Sequence, residues 1–115
     1  MPFVTFVTNL PEDKLGPGFN QKLNKILSTA IPEKEPWQFA INVISTKNFT
    51  FGTSDDPAAM LIIKAFGIYN PESCKRYSKA IGEAIHQEIG LSPSRFLIDF
   101  ADTPATHVGF NLTTC

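Results

Sequence analysis

Along the chain, hydrophobic positions alternate between a two-residue and a 3.6-residue period. Residues Phe3 to Thr8 place Phe3, Thr5 and Val7 on one face and Val4, Phe6 and Thr8 on the other. β-Branched and aromatic types dominate both faces, which predicts a buried strand. The stretch NLPEDKLGPG is dense in turn formers, and Gly16 followed by Pro17 predicts a helix start with proline in the first turn. From Leu15 onward, Phe19, Leu23, Ile26, Leu27 and Ala30 share one helical face, and Pro32 ends the run. Phe39, Ile41 and Val43 then alternate with Ala40, Asn42 and Ile44, predicting a second strand.

The same order repeats. Met60 to Phe66, MLIIKAF, reads as a third strand. Asn70 is a good N-cap, with Pro71 at the first helical position. Cys74, Tyr77, Ile81, Ala84, Ile85 and Ile89 line one face of the following helix, and Gly90 is placed to close it. Phe96, Ile98 and Phe100 alternate with Leu97, Asp99 and Ala101 in a fourth strand. The fragments Asn9-Leu10-Pro11-Glu12 and Tyr69-Asn70-Pro71-Glu72 stand at equivalent points, 60 residues apart. Two βαβ units are implied.

Two such crossovers most simply make an α/β (α+β) fold: a four-stranded mixed sheet with both helices on one face. Strands that are apolar on both sides leave the second face in need of cover, and identical subunits are the economical candidate. A symmetric oligomer is expected.

Composition narrows the function classes. The 115 residues, 43% hydrophobic and 18% charged, suffice for one domain spanning residues 1–115. A net charge of -1 gives no basic surplus for nucleic-acid phosphates or an anionic membrane, so nucleic acid is not expected as a partner. The first ten residues carry no Lys or Arg, and nothing approaches the roughly 20 apolar residues of a span. Neither a classical signal peptide nor membrane insertion is expected. The only cysteines, Cys74 and Cys115, have no metal-ligand spacing and read as free thiols.

No GxSxG, P-loop, GxGxxG or HExxH occurs. His86, on a polar helix face, and His107, in a turn, read as ordinary residues. The sequons at Asn48 and Asn111 matter only in the secretory pathway. Position 2 is different. Initiator methionine is commonly removed before a small residue, which would free the secondary amine of Pro2. An α-amine titrates near 7.7 to 8.0, and burial or a nearby cation lowers it, making a general base at neutral pH. On the residues alone, a proline that merely opens a strand is the simpler reading.

The opening MPFVTFVTNLP, the central GTSDDPAA followed by LIIKAFG, the helix start RYSK, the segment LSPSRFLIDF and the closing HVGFNLTT together change that balance. They resemble the macrophage migration inhibitory factor and D-dopachrome tautomerase family over essentially the whole chain, and HVGFN is most similar to nematode members. The resemblance implies two βαβ units per subunit in a homotrimer with sheets facing inward. It implies that Pro2, freed of Met1, is the catalytic base, that Lys34 binds the substrate carboxylate, and that Phe66 contacts substrate through its backbone. Leu97 and Asp99 match pocket positions supplied by the neighbouring subunit, where the best-known members carry tyrosine and asparagine.

The implied activity is keto-enol tautomerisation of a small aromatic 2-oxo acid such as phenylpyruvate, or of a dopachrome-like compound, without metal or organic cofactor. Phe3, Phe66 and Phe110 are candidates for apolar walls, with plain core packing as the alternative. The resemblance also implies a protein both cytoplasmic and secreted without a leader, with a cell-surface receptor as partner. The competing reading is a non-catalytic, cytokine-like interaction protein with a relic pocket. The CxxC of mammalian members is replaced here by Ala58-Ala59-Met60-Leu61, and a receptor-contacting basic residue by Glu12.

Overall fold

Both βαβ units form where the periodicity places them. The computed structural model describes residues 1–115. The chain runs through β1 (Phe3–Thr8), a one-turn helix α1 (Glu12–Leu15), α2 (Phe19–Ala30), β2 (Ala40–Ser45), β3 (Ala59–Ala65), α3 (Pro71–Ile89) and β4 (Phe96–Asp102). It ends in two short strands, β5 (Gly109–Phe110) and β6 (Thr113–Thr114).

The four long strands form one mixed sheet in the order β2-β1-β3-β4. β1 is parallel to β2, β3 is parallel to β4, and β1 and β3 pair antiparallel at the centre. Parallel neighbours need a long crossover, and α2 and α3 supply one each. Alternation along the strands turns Val4, Phe6, Leu61 and Ile63 toward the helices, where they join Leu23 and Leu27 of α2 and Tyr77, Ile81 and Ile85 of α3 in one core. Phe6 is fully buried there, its ring 5.2 Å from Phe19 and 6.1 Å from Phe96. Both helices therefore cover the same face.

The opposite face carries Phe3, Thr5, Val7, Ile44, Met60, Ile62 and Leu97, interrupted by Asn42, Lys64 and Asp99. It is open: Phe3 is 47% exposed and Leu97 57%. The apolar second face expected from the sequence is thus present, diluted by polar positions.

Helix ends follow their local chemistry. Asn70 Oδ1 accepts from the Ser73 backbone N–H at 2.8 Å, and the Asn70 N–H donates to Ser73 Oγ at 2.9 Å. Gly90 closes α3 at φ 72°, donating to the His86 carbonyl at 2.9 Å. His86 is exposed, and its Nδ1–H donates to the Leu91 carbonyl at 3.0 Å.

Three features differ from the sequence expectation, the first being the one-turn helix α1 inside the stretch read as turn formers. The second helix begins at Phe19 rather than at Pro17, because Gly18 sits in the left-handed region at φ 70° and separates it from α1. The β5–β6 hairpin was not expected. Its two-residue turn places Asn111 and Leu112 at φ 52° and 68°, the twist that tight hairpins require but that leucine rarely adopts.

Candidate active site

Three segments meet at one end of the sheet. Pro2 precedes β1, its side chain is fully buried, and its carbonyl accepts from Ala40 N–H at 3.0 Å. Antiparallel pairing of Phe3 with Lys64 brings the tail of β3, and Phe66 just beyond it, toward this end. Parallel pairing of Phe3 with Ala40 does the same for the run into β2, which carries Lys34.

Lys34 is unusual for a lysine: only 9% of it is exposed. Its ammonium nitrogen stands 4.1 Å from the centroid of the Phe66 ring, within cation–π range. Local bonds hold the segment. Lys34 N–H donates to the Ile31 carbonyl at 3.2 Å, Glu35 N–H donates to Gln38 Oε1 at 2.7 Å, and Asn24 Nδ2 donates to the Pro36 carbonyl at 2.9 Å.

The Met1 amine, at the head of the chain and one residue before Pro2, feels this environment. Partial burial, first, and the Lys34 cation, second, hold it below the ordinary α-amine value, while a charge at Cys115 pulls the other way. Both leading effects penalise the protonated form, burial by removing water and Lys34 by repulsion. Cys115 is brought near by its N–H bond to the Val108 carbonyl at 2.9 Å, at the foot of the hairpin. On the open face at this same end, a hollow of about 320 Å³ is lined by Phe3, Thr5, Ile62, Lys64, Thr103 and His107 with Val108.

Pro2, Lys34 and Phe66 thus gather at one end, and Leu97 and Asp99 do not join them within one chain. Leu97 pairs with Met60, which pairs with Val7, five residues along β1 from Pro2, or about 17 Å at strand rise. It lines a separate hollow of about 460 Å³ with Phe49, Phe51 and Met60. Asp99 pairs with Ile62, opposite Thr5, and is exposed on the open face. Phe3 and Phe110 are both about half exposed, at 47% and 48%.

The sequence did not mark Tyr77 or Glu33 as belonging to this region. Tyr77 was legible only as a core position of α3, yet its hydroxyl donates to Glu33 Oε2 at 2.6 Å, beside Lys34. No local pattern announces a bond between residues 44 apart. No group of three or more His, Cys, Asp or Glu is placed to hold a metal, and no helix is long and apolar enough to cross a membrane.

A family model described as macrophage migration inhibitory factor (MIF) matches residues 1–115. The MIF-like protein mif-2 of Caenorhabditis elegans is 32% identical over 114 residues, covering 99% of this chain and 94% of that protein. Macrophage migration inhibitory factor of Mus musculus is 29% identical over 115 residues, covering 99% and 98%. Among solved structures, that of macrophage migration inhibitory factor from Trichinella spiralis superposes with a TM-score of 0.89 at 21% identity, covering 98% of this chain and 99% of its own.

Proposed function

Because the chain belongs to the macrophage migration inhibitory factor family, we propose that it is a tautomerase-type isomerase acting on phenylpyruvate-like 2-oxo acids or dopachrome-like compounds, with the amine of Pro2 as general base once Met1 is removed. One observation carries this reading. A buried proline heads the central strand beside a buried lysine, in surroundings that lower the pKa of an amine. An ordinary α-amine near 8 is only about one-tenth unprotonated at pH 7. That shift belongs to the Met1 amine; once Met1 is gone the Pro2 amine takes its place beside Lys34, and the same repulsion is expected to favour its free base.

In this mechanism the Pro2 nitrogen takes a proton from C3 of the 2-oxo acid. The C3–H electrons become the C2–C3 double bond, and the carbonyl π pair moves to oxygen. The Pro2 ammonium then returns its proton to that oxygen, giving the enol, and the reverse sequence gives the ketone. Lys34 pairs with the carboxylate and with the charge growing on oxygen. The Phe66 face holds the ammonium without neutralising it. Incubating the processed protein, verified by intact mass, with phenylpyruvate tests the reading. Enol–keto exchange above the buffer rate supports it, and exchange at the buffer rate contradicts it.

The open sheet face supports a homotrimer with sheets inward, in which Leu97 and Asp99 serve a neighbour's Pro2. Sedimentation at micromolar concentration is then expected to give three times the chain mass, and a stable monomer would contradict both the assembly and a shared pocket.

With Asp99 in the pocket, its carboxylate repels the substrate carboxylate and favours protonated Pro2. Asp99→Asn is therefore expected to lower KM for 2-oxo acids by roughly 3- to 10-fold, the scale of a partly screened charge pair. It is also expected to lower the pKa governing kcat/KM. A methyl ester substrate keeps the pKa change but gains little in KM. Equal, negligible effects on acid and ester would place Asp99 outside the pocket.

A further inference from the structure

Lys34 lies on a connecting segment, yet its ammonium is held over one ring. Long side chains on loops ordinarily sample many rotamers, and fixing one costs entropy. The local bonds tie the segment to itself and to α2, and its tie to α3 comes from elsewhere.

Tyr77 is placed to supply it. Its ring is fully buried on α3, packed against Tyr69 at 6.3 Å and Phe100 at 6.0 Å, so the phenol has no freedom to swing. The hydroxyl emerges between two segments. It donates to Glu33 Oε2 at 2.6 Å, and the Ile68 carbonyl lies 3.4 Å away as a longer, second acceptor. Glu33 is the residue before Lys34, and Ile68 is two residues beyond Phe66. One buried hydroxyl therefore stands between the segment carrying the ammonium and the segment carrying the ring.

The neighbouring charges reinforce the bond. Burial first, and the Glu33 bond second, push the Tyr77 phenol up to about 12, so it stays a donor at any physiological pH. The Tyr77 bond in turn is the leading cause that holds the Glu33 carboxyl below its ordinary range, so it stays an ionised acceptor. A charge-assisted pair of this length is stronger than a neutral one. Arg76 adds a weak tie from above, 3.9 Å from Glu33 Oε2 and 5.3 Å from the Tyr77 ring centroid.

We infer that Tyr77 and Glu33 are positioning residues: their hydrogen bond fastens the Lys34 segment to α3 and so holds the ammonium over Phe66, ready for an anionic substrate. Neither residue touches the reacting atoms. The kinetic consequence rests on the tautomerase reading, whereas the geometric one does not.

Two measurements on the same variants separate them. In the unmodified chain, the Lys34 side-chain methylene signals are expected well upfield of the other lysines, through the Phe66 ring current. In Tyr77→Phe and in Glu33→Ala they are expected to collapse toward the others. With phenylpyruvate, both variants are expected to raise KM by about 5- to 20-fold, the loss of one good hydrogen bond's worth of order. They are expected to leave kcat within about twofold and the acid limb of the kcat/KM profile in place. Glu33→Gln keeps an acceptor oxygen and is expected to show a smaller rise than Glu33→Ala.

Lost ring-current shifts in a protein with no tautomerase turnover would support the Lys34 clamp and defeat the tautomerase reading alone. Unchanged shifts in both variants, or unchanged KM in an active enzyme, would overturn the clamp even if thermal stability fell. Should Tyr77→Phe fail to fold, the surface variant Glu33→Ala decides.

Discussion

A chain with one residue added ahead of Pro2 is expected to fold and assemble like the processed protein and to lose tautomerase turnover by about 10²- to 10⁴-fold, the usual worth of a positioned general base. The cause is a single change of nitrogen type. As an amine, Pro2 has a lone pair that accepts a proton near neutral pH; as an amide, its lone pair is delocalised into the carbonyl and has no useful basicity. The fold is unaffected, since Pro2 contributes to β1 through its carbonyl, which accepts from Ala40 N–H, and never through its nitrogen. Circular dichroism and sedimentation check the first half of the expectation, and turnover of phenylpyruvate checks the second. Full activity in a blocked chain would remove Pro2 from the mechanism.

Lys34→Ala is the second large effect, and it acts on two observables with separate signs. On the proposed mechanism, removing the ammonium takes away a charge-assisted bond to the carboxylate, which is expected to lower kcat/KM for 2-oxo acids by roughly 10- to 100-fold. It also removes the cation that helps hold the chain-head amine below its ordinary value. With that repulsion gone, protonated Pro2 is less penalised and its pKa rises. The acid limb of the kcat/KM profile is therefore expected to move to higher pH in Lys34→Ala, the opposite direction to Asp99→Asn. A downward or absent shift would mean that Lys34 does not act on Pro2 through charge. Stability should change little, because the ammonium makes no ion pair or hydrogen bond whose partner would be left behind, and only the buried stem and its contact with the Phe66 ring are lost.

The six principal elements were legible because Pro and Gly separate clean periods. Two-residue alternation marks β1 and β4, the 3.6-residue recurrence of Leu23, Leu27, Ile81 and Ile85 marks the helices, and Asn70 with Pro71 fixes the start of α3 to the residue. What periodicity could not supply was short or strained. The single turn at Glu12–Leu15 is too brief to show a period. The closing hairpin depends on Leu112 at positive φ, a conformation its side chain argues against.

The site was legible only in pieces. Pro2 raised its own question through its chemistry, and the family resemblance pointed to Lys34 and Phe66. Their meeting at 4.1 Å is a product of sheet topology, which carries three distant segments to one end. The Tyr77–Glu33 bond lay hidden for a further reason. A tyrosine on an apolar stripe is read by its ring, and the ring is indeed core, while the function proposed for it lies in the hydroxyl at the far end.

The most direct test of Pro2 as base is a 15N NMR titration of its nitrogen in the Met1-free protein, set beside the pH profile of kcat/KM with phenylpyruvate. Burial and Lys34 both lower the Met1 amine in the unprocessed chain. The Pro2 nitrogen inherits the Lys34 charge once Met1 is removed, so it is expected to titrate below the ordinary 7.7 to 8.0 of an α-amine, with the acid limb of kcat/KM following the same value. A Pro2 that titrates at or above 8, or an acid limb that ignores its titration, would contradict the account.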